Sequence, residues 1–100
     1  MKELFKYKDD IERLCKIYNV KSLYAFGSVL SDKFNSKSDI DFIVDFDLPE
    51  ISRYADNYYA LKFSLEDVLK RQIDLLEEKA IKNPYFIQSI ENQRQLIYAN

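Results

Sequence analysis

Apolar positions recur with two different periods along this hundred-residue chain, and the switches between them mark its elements. Leu4, Tyr7, Ile11, Leu14, Cys15 and Tyr18 step by three or four residues, which predicts one amphipathic helix over roughly 2–18, ended by Asn19. SLYAF (22–26) reads as a short buried strand, Gly27-Ser28 as a turn, and VLSDKF (29–34) as a short helix opening from it. NSKS (35–38) is a polar loop. DIDFIVDF (39–46) then alternates like a strand: Ile40, Phe42, Val44 and Phe46 form a wholly apolar face, and Asp39, Asp41, Ile43 and Asp45 the other.

DLPEIS (47–52) reads as a loop. Nothing breaks a helix from Arg53 to Lys70, with Tyr54, Tyr58, Leu61, Leu65, Val68 and Leu69 on its apolar side. RQIDLLE (71–77) reads as another strand. Asn83 and Pro84 supply an N-cap and a first-position proline for a final helix running to about Ile97. The order α-β-(α)-β-α-β-α predicts an α/β or α+β domain, a small mixed sheet flanked by helices.

Composition narrows this picture. Apolar residues are 47% and charged residues 32% of the chain, as in an ordinary globular protein, so residues 1–100 are expected to form one domain around a single core. The net charge is −2 with the signs interleaved, so no basic face is available to grip a nucleic-acid backbone and direct DNA binding is not expected. The absence of histidine excludes imidazole catalysis and His-ligated zinc. Cys15, the only cysteine, lies on the apolar stripe; it is expected to be a buried structural thiol and suits a reducing compartment. The charged start MKELFKYKDD lacks the apolar segment of a secretory signal, and no apolar run approaches the ~18 residues of a membrane span. A cytoplasmic location away from membranes is the expectation.

The candidate chemistry lies in FGSVLSDKFNSKSDIDFIV (26–44), which holds the only glycine. Asp39 and Asp41 share a strand face with Cα atoms about 6.6 Å apart, a spacing suited to one or two hard cations. Magnesium fits best, because it takes few protein carboxylates and completes its octahedron with phosphates and water. Gly27-Ser28 offers backbone N–H groups, a hydroxyl and no Cβ to obstruct a phosphate. Alone, a Gly-Ser is usually a turn and a D-x-D a solvated pair. Together, with ten residues between them and strands on either side, they resemble the signature of the nucleotidyltransferase superfamily with the DNA polymerase β-like fold, closest to the minimal nucleotidyltransferases of prokaryotes. The resemblance covers nearly the whole chain, from YAFGS to IDLLEEKAIKNPYFIQSIENQRQLIY.

The resemblance implies a third catalytic carboxylate on a later strand, which Asp74 in QIDLLEE matches. Asp45 and Asp47 compete by residue type, but Asp45 lies about 13 Å along its strand from Asp41. It further implies two magnesium ions held by Asp39, Asp41 and Asp74, ATP as substrate, and Gly27 and Ser28 at the β- and γ-phosphates. Minimal members commonly pair with a HEPN-type helical protein; in several pairs that protein is an RNase toxin, and the nucleotidyltransferase is an antitoxin that adds AMP to a toxin tyrosine. The helically spaced aromatics Tyr54, Tyr58, Tyr59 and Phe63 are read mostly as core, with partner surface as the alternative. One departure stands out: many relatives carry Arg-Gly where this chain has Ser31-Asp32, and Lys33 and Lys37 are read as solvated lysines. Two other classes remain, a binding module that neutralises its partner by contact alone and a nucleotidyltransferase acting on a small molecule.

Overall fold

The alternating segment after residue 39 becomes the second strand of a four-stranded sheet, and its apolar face decides how the helices pack. The computed structural model describes residues 2–32, 34–35, 37–47 and 53–100. Its elements are α1 (Lys2–Phe5), α2 (Lys8–Ile17), β1 (Val20–Phe26), a 3₁₀ turn (Gly27–Leu30), β2 (Ile40–Phe46), α3 (Tyr54–Leu69), β3 (Ile73–Glu77), a second 3₁₀ turn (Glu78–Ala80), α4 (Pro84–Gln93) and β4 (Gln95–Ala99). The sheet order is β3-β2-β1-β4, with β2 and β3 parallel and β1 antiparallel to both its neighbours. This is the expected α+β arrangement of a small mixed sheet and flanking helices.

Ile40, Phe42 and Val44 of β2, Leu23 and Ala25 of β1, and Ile73 and Leu75 of β3 are each no more than 4% exposed. They form one cluster with Ile11, Leu14 and Cys15 of α2 and Leu61, Leu65 and Leu69 of α3. Each large side chain so buried contributes about 1.5–3 kcal/mol. Burial, reinforced by Glu12, pushes the Cys15 thiol up to about 12, as suits a structural cysteine. The Tyr58 hydroxyl donates to the Leu75 carbonyl at 2.5 Å and ties α3 to β3. Tyr58→Phe is therefore expected to cost about 1 kcal/mol, read as a lower urea midpoint at unchanged slope.

The opposite face of the sheet carries Asp41, Ile43 and Asp45. Ile43 is 1% exposed although it lies outside the main cluster. It shares a cleft of about 110 Å³ with Ile87 and Ile90 of α4, so α4 covers this side. Asn83 begins α4 as expected, its side chain accepting from the N–H groups of Tyr85 and Phe86.

The structure departs from the sequence pattern in several places. The helix expected over 2–18 is divided, because Tyr7 leaves the helical region (φ −111°, ψ 16°). Leu4, Ile11, Leu14 and Cys15 are buried all the same, so the periodicity locates the face and not the break. Asn19 ends α2 in the left-handed conformation (φ 58°). The helix expected at VLSDKF is a single 3₁₀ turn, with Ser31 already extended. The final helix, expected to run to about Ile97, stops at Gln93, and residues 95–99 form β4. Pairing with β1 decides this: without β4, the outer N–H and C=O groups of β1 would lack partners. The aromatic run of α3 splits, with Tyr54 and Tyr58 against the core and Tyr59 and Phe63 52% and 58% exposed, their rings stacked at 5.9 Å. Most of the DLPEIS loop (48–52) and Lys33 lie outside the described residues.

Candidate active site

Parallel pairing of β2 and β3 sets Asp41 directly opposite Asp74. Paired strands stand about 4.8 Å apart, so the two residues stand side by side on neighbouring strands of one sheet face. Loss of water around Asp41 pushes its carboxyl above the ordinary range, and the charges of Asp74 and then Asp39 push it further the same way. Asp41 therefore feels both of the other predicted carboxylates. Asp39 is placed differently from expectation: it precedes β2 rather than belonging to it, and is exposed.

Gly27 closes the site from β1. Its φ is 78°, a conformation that side-chain-bearing residues rarely take. A Cβ placed there would stand 2.6 Å from Oδ2 of Asp41. The glycine thus makes room for a carboxylate as well as for any phosphate. Ser28 follows at the start of the 3₁₀ turn, its carbonyl accepting from the N–H and Oγ of Ser31, both at 3.0 Å. Ser31 thus closes the turn. One four-residue turn has little macrodipole, so the backbone N–H groups are what this turn offers an anion.

The donor set is carboxylate oxygen without sulfur or imidazole, which suits a hard cation such as magnesium. Among the described residues no three acidic groups already form a cation cage. The structural observation that fits a cation is the crowding of Asp41 between Asp74, Asp39 and Gly27, where a positive charge would relieve the repulsion. Of the competing aspartates, Asp45 pairs with Lys79 at 3.2 Å, and Asp47 lies past the end of β2 and is exposed. Lys37 is exposed, as expected of a solvated lysine.

Two neighbours of the site escaped the sequence reading. Phe26 pairs with Asp41 across β1 and β2 and meets Phe86 of α4 edge-on at 6.4 Å, giving the acidic face an apolar wall. Arg71, just before β3, donates to the carbonyls of Asn35 and Ser38 in the loop entering Asp39. No local pattern marks either, since each role depends on a distant segment.

This chain resembles known proteins in sequence and in fold. A protein of Methanocaldococcus jannaschii named "Putative protein adenylyltransferase" is 38% identical over 103 residues, covering 98% of this chain and 99% of its own. A solved structure described as a "putative minimal nucleotidyltransferase" superposes with a TM-score of 0.75 at 24% identity, over 92% of this chain and 90% of that one. A chain in the structure of a tri-AMPylated Shewanella oneidensis HEPN toxin in complex with MNT antitoxin superposes with a TM-score of 0.64 at 20% identity, over 96% of this chain and 72% of that one. The model of the nucleotidyltransferase domain matches residues 8–97, which include the Gly27 turn and all three carboxylates, and the chain belongs to that family.

Proposed function

We propose that this protein transfers AMP from ATP to a tyrosine hydroxyl of a HEPN-type RNase toxin and so acts as its antitoxin. The observation that carries the reading is the register pairing of Asp41 with Asp74 beside Gly27. The M. jannaschii relative's name supports a protein acceptor, and the fold shared with the HEPN–MNT complex supports the partner class.

In this reading Asp39, Asp41 and Asp74 hold magnesium, which when bound neutralises the triphosphate and favours departure of pyrophosphate. Gly27 and Ser28 donate backbone N–H groups, and Ser28 its hydroxyl, to the terminal phosphates. Asp74, on the exposed side of the pair, takes the proton as the acceptor oxygen bonds to the α-phosphorus. The α–β bridging P–O bond breaks and pyrophosphate leaves. The work is positioning and charge stabilisation, so histidine is not required.

The test is an intact-mass spectrum of the HEPN-type protein after incubation with this chain, ATP and magnesium. AMP-sized increments are expected, and none with the Asp39→Asn/Asp41→Asn variant. A stable complex without increments from either form would sink AMP transfer and favour neutralisation by contact, which the missing Arg-Gly would suit. Nucleotide transfer to small acceptors with no protein labelling would favour the small-molecule reading.

A further inference from the structure

We infer that Arg71 is a positioning residue for the active site: its guanidinium holds Phe34, Asn35 and Ser38 so that Asp39 is presented beside Asp41. The inference rests on the reading of Asp39 as a cation-binding carboxylate and adds a residue outside both motifs.

Asp39 needs an anchor because it stands outside the β2 ladder and is exposed. Arg71 Nη1 donates to the Ser38 carbonyl at 2.9 Å and to the Asn35 carbonyl at 2.8 Å. The Ser38 carbonyl belongs to the same planar peptide as the Asp39 N–H, so holding that oxygen fixes the plane from which the Asp39 side chain departs. The guanidinium also lies over the Phe34 ring, 4.3 Å from its centroid, which fixes the other end of the loop. Inside the loop, the Asn35 N–H donates to Ser38 Oγ and the Lys37 N–H to Asn35 Oδ1.

The clamp is itself well anchored. Lys70 ends α3 in the left-handed conformation, its N–H on the Glu66 carbonyl. The Ile73 N–H donates to Glu66 Oε2 at 3.1 Å, and the Ile40 N–H to the Gln72 carbonyl at 3.1 Å. Arg71 thus sits between two fixed points, the end of α3 and the first rung of the β2–β3 pair. The same register sets Asp41 against Asp74. Arg71 therefore couples the carboxylate that lies outside the strands to the two within them.

Charge and geometry predict opposite signs here. If Arg71 acted only through its charge, removing it would tighten cation binding to the nearby carboxylates. If it positions Asp39, removing it weakens binding. The experiment titrates the full chain with Mn²⁺, following free Mn²⁺ by electron paramagnetic resonance, with folding checked by circular dichroism. Arg71→Gln is expected to weaken Mn²⁺ binding about tenfold, the scale seen when groups that orient metal ligands are lost. In an Asp39→Asn background the same change is expected to have no further effect. Unchanged or tighter binding by Arg71→Gln, or an equal loss in both backgrounds, overturns the inference. If Asp39→Asn binds Mn²⁺ like the wild type, the reading of Asp39 falls and this inference with it. If only Asp39→Asn weakens binding, this inference alone falls. Should Arg71→Gln fail to fold, Arg71→Lys carries the test. It keeps the charge but not the planar contact with Phe34, so weaker binding is expected and wild-type affinity overturns the proposal.

Discussion

Asp41→Asn is expected to lower nucleotidyl transfer about a thousandfold, while the metal-free protein melts a few degrees higher. Both effects follow from the same crowding. Asp41 is the central carboxylate, opposite Asp74 across the strand pair and raised by desolvation, then by Asp74, then by Asp39. In the reading proposed above that charge holds magnesium; without magnesium it is a cost to the fold. Because the folded-state pKa lies above the unfolded value, the cost is fully present above the folded pKa. It fades as pH falls through that pKa and is gone below the ordinary carboxylate range. The thermal gain of Asp41→Asn should fade over that same window. Partial exposure of Asp41 screens the repulsion, so the gain is a few degrees and not tens. Melting curves at several pH values without metal, set beside single-turnover transfer rates, check both halves. A variant that melts lower at neutral pH, or transfers at the wild-type rate, would refute the account.

Gly27→Ala is expected to lower transfer about a hundredfold, the loss typical of a reacting group displaced by about 1 Å. Alanine at φ 78° costs about 1–2 kcal/mol in backbone strain. Its Cβ would also meet Oδ2 of Asp41 at 2.6 Å, and the carboxylate is the part able to move. The fold should survive with a lower melting temperature, because the main core lies on the other side of the sheet. Activity should fall further than the stability loss explains, since the site loses both the Asp41 position and the open approach to the turn. Transfer rates measured well below the variant's melting point separate the two effects. Wild-type rates there would mean that Gly27 serves the turn alone.

The expected secondary structure and the observed one differ where local pattern carries no information about pairing. The spacing of Gln95 to Ile97 suits a continuation of α4, yet these residues complete the sheet because β1 has an open edge. Tyr58 and Tyr59 are adjacent in the chain, but one donates to the Leu75 carbonyl and the other is 52% exposed beside Phe63. The split of α1 from α2 at Tyr7 involves no glycine or proline, so no breaker residue announces it.

Local order was legible. The alternation in 39–46 determined that Ile40, Phe42, Val44 and Phe46 face the core while Asp41 faces away, since side chains alternate along any strand. The single glycine marked a turn, and the observed φ of 78° is one that glycine accepts most readily. The spacing of Gly27-Ser28 and Asp39-x-Asp41 pointed to the family that the comparisons then established. Only the tertiary structure decided that Asp74 lies on the rung beside Asp41, that Gly27 opposes Asp41 Oδ2, and that Arg71 grips the Ser38 carbonyl from 33 residues away. Periodicity is set by bonds within one segment. Register between β2 and β3 is set by the packing of α3 and of two apolar strand faces against one core, a property of the whole chain.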